Sequence, residues 1–130
     1  MNEKKARISE TKIESTEAID STILASLREL QEEGESDIVD EIGGLFVKYA
    51  PDKIFAIEKA AEKKDSKALM IAAHSLKSSS AYIGAMRLSA LSKELEEMGR
   101  SGQMDRALDK AKELRAEYER ARASLEKEMR

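Results

Sequence analysis

The chain contains one histidine, His74, and it stands in the stretch AAHSLKSSSAYIGA, residues 72–85, with Lys77 three positions on and Ser78 four positions on. Residues three and four apart share a face of an α-helix, so an imidazole, an ammonium and a hydroxyl would meet there on one patch. A neutral imidazole keeps a ring-nitrogen lone pair that can attack phosphorus. A lysine can then neutralise part of the charge on the attached phosphoryl group, and a serine hydroxyl can hydrogen-bond one of its oxygens. Phosphoryl transfer demands mainly positioning and charge stabilisation, so a short helical constellation suffices if a second protein brings the rest. Taken singly these residues have plainer uses. A lone helical histidine is more often an ordinary surface residue, Lys77 a solvated charge, Ser79 and Ser80 a small-residue strip for helix packing, and Gly84 a matter of backbone geometry.

The surrounding pattern says which way the ring points. At about 100° per residue, Leu69, Leu76 and Ile83 fall on one stripe, and His74 lies about 200° from Leu76. The histidine is therefore expected away from the core and at least partly exposed. Its helical neighbours Met70, Ile71 and Ala81 are expected to form the docking surface for the protein that exchanges the phosphoryl group.

Helical spacing organises the rest of the chain. Residues 1–16 are charged and aperiodic and read as a mobile tail. Ile23, Leu24, Leu27 and Leu30 make a short amphipathic helix over about 21–33 that stops near Gly34. Ser36 or Asp37 caps the next, with Ile38, Ile42, Leu45, Phe46 and Tyr49 on its apolar side. Pro51 marks a break and suits the first turn of a following helix. Asp65 or Ser66 caps the histidine-bearing helix, which Gly84 ends. Leu88, Leu91, Leu95 and Met98 carry the helix after it, closed by Gly99 and Gly102. A last helix has Leu108, Ala111, Leu114, Tyr118, Ala121, Leu125 and Met129 on one stripe. No sustained alternation and no Asn-Gly hairpin signal competes. The expectation is an all-α single domain over 17–130: an antiparallel up-and-down four-helix bundle of helices at about 37–49, 51–64, 65–83 and 85–100, with a short N-terminal capping helix and a long C-terminal helix, about 105–129, as an addition that overhangs it.

Composition agrees and narrows the function. Of 130 residues, 38% are charged and 4% aromatic, with one proline, which suits helices with solvated outer faces. The net charge of −3 is spread along the chain and offers no basic stripe for nucleic acid. There is no cysteine, hence no disulfide framework or thiolate metal site. The first twenty residues contain no apolar run of signal-peptide or membrane-spanning length, and a cytoplasmic protein is expected.

The motif as a whole resembles a known family. H-S-L-K-S-S-S-A-Y-I-G-A at 74–85, followed by Leu88, Leu91 and L-E-E-M-G-R at 95–100, resembles the histidine-containing phosphotransfer (HPt) domain of multistep phosphorelays, with weaker agreement through F-V-K-Y-A-P-D-K at 46–53. The resemblance implies a four-helix bundle and a phosphocarrier. His74 would accept a phosphoryl group, at Nε2, from a receiver-domain aspartate and hand it to another receiver's aspartate, with Lys77 assisting at the phosphoryl group. The partners implied are receiver domains of response regulators or hybrid kinases, which would supply Mg²⁺. The chain itself would need no cofactor, hold no metal and carry no autokinase activity. No Gly-rich phosphate loop is found. Many family members have glycine where this chain has Ser78, which bears on how closely a receiver backbone can approach.

Two other readings compete. A dimeric sensor-kinase-type phosphotransferase also exposes a histidine on a helix, but that pattern usually has an acidic residue directly after it, and here Ser75 follows. A non-catalytic interaction module would work through the C-terminal helix. A helical metalloenzyme is disfavoured by the single histidine. The default assembly is a monomer making transient complexes with receivers.

Overall fold

The computed structural model describes residues 17–129, and the tail expected over 1–16 lies outside the described residues. The described residues form five α-helices: α1 Ser21–Glu29, α2 Ile38–Lys63, α3 Ser66–Tyr82, α4 Met86–Ser101 and α5 Ala107–Glu128. Three of them begin on an aspartate whose carboxylate accepts from an otherwise orphaned backbone N–H: Asp20 from Thr22, Asp37 from Val39 and Asp65 from Ala68. Gly102, at φ +79°, ends α4 in the left-handed region that glycine enters without a Cβ penalty. The first helix is shorter than expected. It stops at Glu29, and Leu30 is left exposed.

The expected break at Pro51 does not occur. Residues 38–63 form one helix with the proline inside it. Proline at 51 removes the N–H that would bond the carbonyl of Val47, a loss that usually kinks or ends a helix at a cost of about 3 kcal/mol. Two features offset it. Val39, Phe46 and Ala50 before the proline and Ile54, Ile57 and Ala61 after it are all buried in the same core. The Tyr118 hydroxyl of α5 also lies 3.5 Å from the Val47 oxygen, where it donates to the carbonyl that proline leaves free.

Because 37–49 and 51–64 are one helix, the fourth member of the bundle is α5, not an addition to it. Along α5, Ala111, Leu114, Tyr118, Ala121 and Leu125 are buried as expected, while Leu108 faces outward and Ala107 takes the core position. Arg115 forks onto both carboxylate oxygens of Glu58 in α2, and the Tyr118 ring packs 5.9 Å from that of Phe46. Lys110 pairs with Glu94 of α4 at 2.8 Å. The helix does not overhang: Met129 packs on Gly43, and Arg28 of α1 donates to the Glu128 carbonyl at 2.7 Å.

Contact order along the helices gives their sense. Gly43 meets Leu125 while Glu58 meets Arg115, and Arg87 meets Glu117 while Glu94 meets Lys110, so α5 is antiparallel to both neighbours. The turns Lys64–Asp65 and Ile83–Ala85 reverse the chain between α2, α3 and α4. At the second turn Gly84 has φ +88°, its carbonyl accepts from Asp20 N–H at 2.8 Å, and a Cβ there would lie 3.0 Å from the Asp20 oxygen. Gly84 thus ends α3 and seats the segment that leads into α1, which closes this end of the bundle. Among the described residues no helix is long and apolar enough to cross a membrane.

Candidate functional site

Helix α3 buries Leu69, Ala73, Leu76 and Ser80. The opposite face carries His74, whose side chain is 62% exposed, with Ile71 and Ser78 exposed beside it. Met70 and Ala81 are half-buried, so of the three expected docking residues only Ile71 is fully presented. Tyr82, two turns beyond His74, is a further exposed apolar residue on this face. Ser79 donates to the Leu76 carbonyl and Ser80 is fully buried, in keeping with packing roles for both.

The histidine has a partner on α4. His74 Nδ1 lies 2.7 Å from Oε2 of Glu96, whose side chain is only 3% exposed. Lys77 does not stand free beside the ring: its ammonium is 2.7 Å from the other oxygen of the same carboxylate. Arg100, one turn further along α4, reaches Glu96 Oε2 at 3.1 Å and Glu97 at 3.1 Å. The Lys77 hydrogen bond, with those of His74 and Arg100, outweighs burial and pushes the Glu96 carboxyl down to about 2.

The contacts with Lys77 and Arg100 keep Glu96 a carboxylate, and this assigns the proton on the ring. A carboxylate can only accept, so Nδ1 must be the nitrogen that carries hydrogen. In the neutral ring the lone pair is then on Nε2, at the far side from Glu96. The arrangement fixes ring orientation, selects the tautomer and leaves one nucleophilic nitrogen facing solvent.

The two helices come close enough for this because of small residues on α4. A Cβ on Gly99 would lie 2.6 Å from the Ser66 oxygen and 2.7 Å from the Met70 nitrogen, so backbone meets backbone there. Ser89 Oγ donates to the Lys77 carbonyl at 3.0 Å, and Ser92 is fully buried. Glu96 and Arg100 are the functional residues that sequence reasoning missed. A signal was available: Glu96 lies four residues after Ser92 and three before Gly99, on the same small-residue stripe, where a solvated glutamate does not belong.

Among the described residues no group of three or more His, Cys, Asp or Glu side chains is disposed to hold a metal ion. Glu96, the carboxylate bonded to His74, has its oxygens committed to cations, so these residues do not fit a Mg²⁺ ion.

An antiparallel four-helix bundle presenting one tautomer-fixed histidine on an outer face defines a histidine phosphotransfer module. The chain belongs to that family: the model of the Hpt domain matches residues 41–124. The crystal structure of histidine-containing phosphotransfer protein B (HptB) from Pseudomonas aeruginosa PAO1 is similar, with a TM-score of 0.78 at 31% sequence identity, covering 85% of this chain and 93% of that chain. No curated protein sequence matches the chain. Membership places it among the proteins that carry phosphoryl groups in phosphorelays.

Proposed function

We propose that this protein is a phosphocarrier in which His74 takes a phosphoryl group from the aspartate of one receiver domain and delivers it to the aspartate of another. The observation that carries this reading is the pairing of an exposed Nε2 with an Nδ1 held on a buried, ionised Glu96. In the transfer the Nε2 lone pair forms the N–P bond as the bond from phosphorus to the aspartyl oxygen breaks, and that electron pair leaves on the aspartate carboxylate. The ring keeps its Nδ1 proton and becomes cationic, so Glu96 stabilises charge as it develops. Return transfer to a second aspartate is the same step reversed.

Lys77 serves the phosphoryl oxygens in this reading, and Ser78, exposed one turn after His74, can donate to one of them. Ile71, with the accessible parts of Met70 and Ala81, forms the contact surface for the receiver. In this reading the receiver supplies the Mg²⁺, and the chain acts without an autokinase domain. We place the carrier in the cytoplasm as a monomer that does not bind nucleic acid. Closure of the four-helix bundle within one chain supports the monomer, because no second copy is needed to complete it. The burial of the α5 stripe argues against a coiled-coil role for that helix.

The test is incubation with a panel of phosphorylated receiver domains and Mg²⁺, with His74→Gln alongside. The expected result is an acid-labile, alkali-stable label on the native chain and none on the variant. A native chain left unlabelled by every receiver, or a variant labelled equally, would overturn the assignment.

A further inference from the structure

Glu96 has more cationic partners than the resting protein requires. Lys77 lies 2.7 Å from Oε1, while Arg100 at 3.1 Å and His74 Nδ1 at 2.7 Å share Oε2. A carboxylate this deeply buried needs its desolvation offset, and a cation beside it does so most strongly. One cation would meet that need. The two differ in what else they can reach. Lys77 is on the same helix as His74, one turn on, with a flexible four-carbon stem within reach of a group on Nε2. Arg100 is on the same helix as Glu96, four residues on, and its second terminal nitrogen is tied to Glu97. One partner is free to move and the other is braced.

We propose that the two cations exchange duties when His74 is phosphorylated: the Lys77 ammonium moves from Glu96 to the phosphoryl oxygens, and Arg100 remains as the counter-ion that keeps Glu96 ionised and bonded to Nδ1–H. The inference rests on the reading of His74 as phosphoryl acceptor and deepens it. Arg100 is a positioning residue of the phosphorylated state, acting through Glu96. Without it, one lysine must serve two anionic groups on opposite sides of the ring. If it turns to the phosphoryl group, Glu96 keeps only the imidazolium as a cationic partner; if it stays, the phosphoryl group has no lysine.

The exchange is tested with phosphoramidate, a small donor that needs no docking surface: Nε2 forms the N–P bond, the donor's P–N bond breaks, and ammonia leaves. Wild type, Arg100→Gln and Arg100→Lys, each ¹⁵N-labelled in the ring, are followed by NMR before and after phosphorylation. The phosphohistidine lifetime is measured in each. In the resting state Arg100→Gln is expected to keep the wild-type tautomer, because Lys77 still holds Glu96. Its phosphohistidine lifetime is expected to fall by about fivefold to tenfold, the scale of one ordinary hydrogen bond since Arg100 acts through Glu96, with Arg100→Lys restoring most of it. Overturning results are a wild-type lifetime in Arg100→Gln, or a resting Arg100→Gln ring that has already lost the wild-type tautomer. A wild-type chain that phosphoramidate leaves unmodified at His74 would remove the phosphoryl-acceptor reading and the exchange together, whereas a labelled wild type matched by Arg100→Gln removes the exchange alone.

Discussion

Gly99 of α4 rests directly on the backbone of Met70 in α3, with room for a hydrogen and none for a methyl group. Met70 is one turn before His74 and Gly99 one turn after Glu96. The close approach therefore sets the distance across which imidazole and carboxylate meet.

Gly99→Ala follows from that contact with opposing contributions. Alanine gains about 1 kcal/mol in helix propensity. A Cβ placed 2.6 Å from a carbonyl oxygen forces the helices apart, and overpacking of this kind costs about 1–3 kcal/mol. The net expectation is a lower unfolding free energy in urea and a weakened His74–Glu96 contact, seen as a mixed ring tautomer by ¹⁵N NMR. An alanine variant as stable as wild type with an unchanged tautomer would refute the role given to this glycine.

Glu96→Gln keeps the shape of the side chain and removes its charge. The ring loses a charge-assisted hydrogen bond worth about 1.5–3 kcal/mol just as it becomes cationic, which corresponds to a fall of about 10- to 100-fold in the rate of phosphoryl acceptance. Rapid-quench transfer from a phosphorylated receiver measures this. The label should still be on His74, since Nε2 remains in place.

The same carboxylate makes stability depend on acid. Its folded value of about 2 lies below the ordinary 4.5, so its ionised, partnered form contributes stability in full above 4.5 and loses it as pH falls from 4.5 toward 2. Urea titrations across that window should show wild-type stability dropping more steeply than that of Glu96→Gln. Glu58, lowered by its Arg115 hydrogen bond, is common to both chains and cancels in the comparison. Parallel curves would show that Glu96 is not the titrating group.

Pro51 and Tyr118 should be coupled through the Val47 carbonyl. Tyr118→Phe in the native background leaves that oxygen unserved and is expected to cost about 0.5–1 kcal/mol, the lower part of the range for a hydrogen bond at this length. In a Pro51→Ala background the restored backbone N–H takes the carbonyl, and the same substitution should cost little. A double-mutant cycle in urea reads the difference. Equal costs in the two backgrounds would dissociate the hydroxyl from the proline.

Those elements were legible in the sequence to different degrees. The limits of α3 and α4, the outward placement of His74 and the αL turn at Gly84 all follow from local spacing, capping aspartates and a glycine, and the structure places them within a residue of expectation. Pro51 misled because its usual effect is local, whereas its accommodation depends on apolar residues and a hydroxyl brought from α5, 67 positions away in the sequence (118 − 51). That misreading also hid the place of α5 in the bundle. Glu96 stands in the charged run L-E-E-M-G-R, where only its spacing from Ser92 and Gly99 separates it from Glu97; packing then buries the first and leaves the second in water.

The division of the site between two helices has a consequence for quality control. A peptide spanning α3 contains His74, Lys77 and Ser78, yet it lacks the carboxylate that assigns the ring proton. A chain in which α3 and α4 have parted is in the same position. In the proposed reading, full competence to carry phosphate is therefore a property of the assembled tertiary structure, and a partly unfolded copy takes up the phosphoryl group more slowly than a folded one.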